Sequence, residues 1–149
     1  MAWFVMSPIF LFTLILLAVA TGLAIVRGGS WERAVAFAII VGGVISAVAP
    51  FDHRSPPWFA IGADAGVFLL LLYGVVRSGR RWLIAAAGFQ FLVLATHYAF
   101  VSNLRLEQWA YISAYYVWSI GVIGSLIIGS LARRRSRSPL QSEARPDAG

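Results

Sequence analysis

Residues 58–101 read WFAIGADAGVFLLLLYGVVRSGRRWLIAAAGFQFLVLATHYAFV, two apolar runs joined at the cluster Arg77-Ser78-Gly79-Arg80-Arg81. Each run has the roughly 20 residues that carry a helix across about 30 Å of hydrocarbon. A tryptophan opens each run, Trp58 and Trp82, as interfacial aromatics do. Inside each run lies one ionisable residue, Asp64 in the first and His97 in the second. An ionisable group in hydrocarbon is costly, so it marks a candidate site whose partner has to be found.

Three further apolar stretches flank this pair. Span one covers residues 3–26, an apolar run interrupted only by Ser7, Pro8, Thr13 and Thr21. The small residues Ala18-Val19-Ala20 resemble a signal-peptide cleavage site, but no basic residue precedes Arg27, so the run is expected to stay as a span. Span two covers 31–49, with Ser30 as its expected N-cap and no fuller capping box, because Arg33 stands three residues on. Spans three and four cover 58–76 and 82–101, and span five 109–131. From Arg133 the chain turns polar and Pro-containing, and residues 133–149 read as a disordered Arg-rich tail.

Composition agrees with this reading. The 149 residues are 60% hydrophobic and 12% charged, against about 25% charged in soluble domains. Residues 1–132 therefore form one all-α unit, a polytopic helical membrane protein with five transmembrane helices in a bundle. The absence of cysteine excludes disulfides, thiolate metal sites and Cys nucleophiles. The net charge of +6 does not point to nucleic acid, since the arginines are spread over short loops and a tail. Taken on alternate sides, the N-terminus and the second and fourth loops carry two of them, Arg54 and Arg105, and the other side carries ten. The positive-inside rule then puts the N-terminus outside and the C-terminus in the cytoplasm, in an inner membrane crossed several times. The tail arginines either fix topology alone or also meet anionic lipids.

Helix rise compares depths. Asp64 lies six residues beyond Trp58 and His97 five residues before Ser102, so both sit about 7–9 Å in from the outer side. Spans joined by so short a loop are antiparallel neighbours. Gln90, seven residues before His97, shares its face, and Tyr111, Tyr115 and Trp118 share a face of span five. The candidate site is accordingly Asp64, His97, Gln90, Tyr115 and Trp118, with Ser46, Ser113 and Tyr116 near that layer. Asp52, His53, Arg54, Asn103, Arg105 and Glu107 lie above it. Trp3, Trp58, Trp109 and Tyr111 are expected in the aromatic belts. Two stripes of small residues, Ala34-Ala38-Gly42-Ser46 and Gly121-Ser125-Gly129, are expected at helix–helix contacts.

Three readings of the pair stay open: glue between two helices, a proton-linked or ligand site, or a metal or haem site. His53 in its loop is either a pH sensor or an ordinary exposed histidine. For metal, His97, His53, Asp52 and Asp64 supply suitable atoms, but no paired-histidine spacing exists. A b-type haem wants two facing imidazoles and only His97 is intramembrane, whereas one histidine would serve a chlorophyll. No cofactor is assigned, and no nucleophile elbow or phosphate-binding loop can be read.

The pattern Trp31-Glu32-Arg33-Ala34, Asp64, Gly88-Phe89-Gln90, Thr96-His97 and Trp118-Ser119 resembles a group of small bacterial polytopic membrane proteins. The resemblance covers about residues 31–119 and implies a helical membrane fold, with no activity to carry over. Pro56-Pro57-Trp58 is similar to the PPxW of the tryptophan-rich sensory protein family, whose Asn-x-x-Trp motif is missing here. The expected function is that of a non-enzymatic accessory or structural subunit, with lipid and other membrane subunits as partners. The alternative is a small proton-linked transporter or sensor using Asp64 and His97.

Overall fold

The computed structural model describes residues 8–48, 56–103 and 108–135. They form five helices: α1 Pro8–Val26, α2 Ser30–Val48, α3 Trp58–Ser78, α4 Arg81–Ser102 and α5 Gln108–Arg135. All five are long and apolar enough to cross a membrane.

Local chemistry sets the helix ends. Gly28 closes α1, its N–H bonded to the carbonyls of Leu23 and Ala24. A Cβ there would collide with the Ala24 backbone and the Glu32 side chain, so the turn requires glycine. Gly29, and not Ser30, caps α2, since its carbonyl accepts the Arg33 N–H at 3.1 Å and Ser30 already lies in the helix. Glu32 then occupies the third helical position, and its Oε2 accepts the Gly29 N–H at 2.8 Å. This is the carboxylate half of a capping box, built on glycine. At the end of α3, Gly79 adopts φ 61° and donates its N–H to the Val75 carbonyl at 2.9 Å, a left-handed stop that glycine takes without strain.

Several boundaries differ from the hydropathy reading. Helix α3 ends at Ser78 rather than at 76, and α4 begins at Arg81 rather than at 82. Helix α5 continues through Arg135, into the stretch expected to be an irregular tail. Leu, Ala and Arg are strong helix formers, and leaving an apolar medium does not by itself end a helix. Residues 3–7, 49–55 and 136–149 of the expected spans, loop and tail lie outside the described residues.

Only Gly79 and Arg80 separate α3 from α4, and 27–29 separate α1 from α2, so each pair is an antiparallel hairpin. Each helix packs on its neighbours in sequence, α1 returns to α5, and α5 also touches α2. The buried apolar cluster includes Ala20, Ala24, Val35, Leu71, Leu83 and Leu126. It fills the end of the bundle that carries the two tight turns, where all the buried residues of α1 and α2 are found. The same end holds an ion pair between Glu32, 1% exposed, and Arg80. Arg33 completes this end by donating to the Ile25 carbonyl at 3.0 Å.

The stripe on α5 receives side chains rather than a neighbouring backbone. The Phe89 ring lies where a Cβ on Gly121 would be, and the Trp82 ring where one on Gly129 would be. Ser125, buried between them, donates to the Gly121 carbonyl at 2.8 Å. These two ring contacts set the register of α4 on α5. The stripe on α2 is only partly interior: Ala34 is exposed, whereas Gly42 faces Ala63 and Val67 of α3.

Candidate functional site

At the end of the bundle away from the two turns, the interior is polar. Asp64 of α3 and His97 of α4 meet there, His97 Nε2 to Asp64 Oδ2 at 2.8 Å. His97 is buried, and the Asp64 side chain keeps 15% of its surface exposed. Gln90, two turns along α4 from His97, donates its amide to Asp64 Oδ1 at 2.9 Å and to the Asp64 carbonyl at 3.2 Å. Both carboxylate oxygens are thus held, one by each α4 side chain.

The second imidazole nitrogen is held from α5, where the Tyr111 hydroxyl lies 2.8 Å from His97 Nδ1. The Tyr111 ring stacks on Phe100 with centroids 4.5 Å apart. Tyr115, one turn on, places its ring 5.7 Å from the imidazole and meets Tyr116 edge-on. The result is one chain of contacts, Gln90–Asp64–His97–Tyr111, across three helices.

Of the residues singled out from the sequence, Asp64, His97, Gln90 and Tyr115 come together. Gln90, expected behind the pair, bonds directly to Asp64. Trp118 lines an adjoining groove between α4 and α5. Tyr111, expected in the aromatic belt, is the correction: its hydroxyl points inward to His97, and its i, i+4 relation to Tyr115 was the signal. Ser113 is exposed and Ser46 is half-buried on α2. Asp52, His53, Arg54, Arg105 and Glu107 lie outside the described residues. The ion pair of Glu32 with Arg80 was not anticipated, and only an acidic residue in the first turn of α2 hinted at it.

The proton positions follow from the partners. With Asp64 ionised, its oxygens only accept, so Nε2 carries the imidazole hydrogen and Nδ1 accepts from the Tyr111 hydroxyl. In that state the site holds one net negative charge. A second imidazole proton on Nδ1 neutralises it and turns the Tyr111 hydroxyl from donor to acceptor. No basic side chain among the described residues stands near: Arg81, at the start of α4, lies nine residues before Gln90, about 14 Å along the axis. As for metal, no three histidine, aspartate or glutamate side chains converge among the described residues. Comparison with protein-family models, with curated proteins and with solved structures finds no match to this chain.

Proposed function

We propose that the chain is a multi-pass inner-membrane protein, with its N-terminus outside, that takes up a proton at Asp64–His97 as a small transporter or sensor. The observation that carries this reading is the 2.8 Å contact of an aspartate with a histidine inside the bundle, with no basic side chain beside them among the described residues. The charge of such a pair depends on the protons it holds, because the imidazole is charged only when both ring nitrogens are protonated, so one bound proton changes the net charge of the site by one. In a medium of low dielectric that change weighs heavily. The groups facing the imidazole are Asp64 from α3 and Tyr111 and Tyr115 from α5, with Tyr116 beyond them. The described charged residues of α1–α2 and the α3–α4 turn, Glu32, Arg33, Arg77 and Arg80 among them, lie at the opposite end.

Ten arginines on one side against two on the other support the orientation. It places the polar end outward, so the partly exposed Asp64 is the member that outside protons reach first.

The experiment measures proton uptake by the purified protein with a pH indicator in mild detergent. Wild type should take up a proton that Asp64→Asn and His97→Gln do not, while both variants keep their helicity. Asparagine keeps the shape of the side chain and one acceptor oxygen, with an NH2 donor in place of the second oxygen, so Asp64→Asn removes the charge at nearly unchanged volume. Identical uptake in all three proteins would refute the reading.

A second reading, a non-enzymatic accessory subunit, is favoured by one feature of the same network. Both carboxylate oxygens and both ring nitrogens are bonded, as they are where such groups only join helices, at about 0.6 kcal/mol each on average. A stable partner co-purifying in mild detergent, together with silent proton uptake, would favour it.

A further inference from the structure

A groove of about 390 Å³ runs between α4 and α5 on the outside of the bundle, next to the Asp64–His97 network. Its walls include Ala95 and Ala99 of α4 and Ala110 and Ala114 of α5, small side chains that leave the depression open. Tyr111 belongs to both features, lining the groove while its hydroxyl is bonded to His97. The other hydroxyl in the wall, that of Thr96, donates to the Leu92 carbonyl at 2.8 Å. Both wall hydroxyls are therefore engaged within the protein, and no charged side chain among the described residues lines the groove. An occupant has to be apolar there.

The dimensions narrow the choice further. The groove extends from Leu92 to Phe100 on α4 and from Ala110 to Trp118 on α5, a rise of eight residue steps on each, or about 12 Å parallel to the helix axes. It starts near the ends of both helices, so it spans most of one leaflet of a hydrocarbon layer about 30 Å thick. A slot of that length, lying along the membrane normal and lined by apolar side chains apart from the engaged hydroxyls and the Trp118 indole N–H at its deep end, matches one extended hydrocarbon chain.

We propose that this groove binds one acyl chain of a phospholipid from the leaflet at the polar end, and that the chain bears on Tyr111. The second half of the proposal rests on the proton-linked reading of Asp64–His97; the binding site itself does not. With the slot filled, the Tyr111 ring is held against Phe100 and its hydroxyl stays on His97. With the slot empty, the ring has room to leave the imidazole. Lipid occupancy thereby regulates the proton site.

The test uses the full chain in nanodiscs of phosphatidylethanolamine and phosphatidylglycerol, doped with a phospholipid carrying a diazirine midway along one acyl chain. Crosslinks mapped by mass spectrometry should fall on 92–100 and 110–118 several-fold more often than on Ile15 and Val44, lipid-facing positions away from the groove. Ala114→Phe, which fills the slot, should bring the groove yield down to the level of those controls. Even labelling over all exposed faces, or undiminished groove labelling in a folded Ala114→Phe, overturns the site. Should Ala114→Phe fail to fold, the wild-type pattern alone decides.

The link to the proton site has its own readout, the midpoint pH of proton uptake. It should shift in Ala114→Phe and stay fixed in Val44→Phe. An unmoved midpoint with groove crosslinking intact overturns the regulation and leaves the lipid site standing. Absence of proton uptake in wild type refutes the proposed function and, with it, the regulation; the crosslinking arm still judges the site.

Discussion

Replacing Tyr111 by Phe removes one oxygen atom and tests whether this residue belongs to the network or to the aromatic belt. Phenylalanine keeps the stack on Phe100, whose centroid lies 4.5 Å away, so apolar burial is almost unchanged. What is lost is the 2.8 Å hydrogen bond to His97 Nδ1. A net hydrogen bond contributes about 0.5–1.5 kcal/mol, and an acceptor left unsatisfied in a buried site costs about 1–3 kcal/mol. Interhelical bonds within membranes average nearer 0.6 kcal/mol, because the unfolded chain in lipid also finds partners. Since His97 is only 1% exposed and water does not replace the hydroxyl, the expected loss is about 1–2 kcal/mol, a factor of about 5–30 in the folding equilibrium. Unfolding in mixed micelles with increasing dodecyl sulfate, followed by the fluorescence of the six tryptophans, measures it. Repeating Tyr111→Phe in a His97→Ala background isolates the pair, and there the hydroxyl should contribute almost nothing. A Tyr111→Phe protein as stable as wild type, or an equal loss in both backgrounds, would refute the assignment.

The same unfolding assay reads the ion pair at the other end. Arg80→Ala should destabilise more than Glu32→Gln, because it takes the guanidinium from a carboxylate that is 1% exposed, whereas glutamine carries no charge and still accepts from Gly29. Breaking a buried pair costs about 3–5 kcal/mol, and the 34% exposure of Arg80 brings the expectation below that range. Gly121→Ala and Gly129→Ala should each cost about 1–3 kcal/mol by overpacking, since the new Cβ would stand 2.5 Å from the Phe89 or Trp82 ring. Gly124→Ala, with nothing within 4 Å, should be neutral or slightly stabilising, and equal behaviour of the three would refute the ring contacts. Because the chain has no cysteine, topology can be read from single-cysteine variants with a membrane-impermeant maleimide. Asn103→Cys should label in spheroplasts with an intact inner membrane, and Arg27→Cys only after that membrane is permeabilised; the reverse pattern would invert the orientation.

The sequence was most informative where physics is additive along the chain. Span length depends on summed hydropathy, and depth on a constant rise per residue, so the shared layer of Asp64 and His97 could be computed without coordinates. Choosing among Tyr111, Tyr115 and Trp118 could not be done that way. All three lie on one face of α5, and which of them reaches His97 depends on how α4 and α5 slide past each other. That register comes from Phe89 on Gly121 and Trp82 on Gly129, contacts between residues 32 and 47 positions apart, by subtraction of their numbers. The pairing of Glu32 with Arg80 was hidden for the same reason. Three arginines cluster in that turn, and only tertiary packing selects one of them.

Among the described residues the bundle shows an acid–base pair at each end, and their partners differ in kind. Glu32 faces a guanidinium, which keeps its charge at any working pH, and the pair ties the two hairpin turns together. It also lies beside the dry core of Leu71 and Leu83, where a rigid fastening suits the packing. Asp64 faces an imidazole, which exists both with and without a second proton, so the charge of this pair is a variable. The end where it lies is held by hydrogen bonds among three helices, and under the proposed proton uptake one of them, Tyr111 to His97, would reverse direction. If the proposed uptake holds, a proton at Asp64–His97 acts first on the contact of α5 with α4, which Tyr111 makes, and not on the Glu32–Arg80 end. The fold thus separates a fixed end from a responsive one, and the partner of each carboxylate, arginine or histidine, decides which is which.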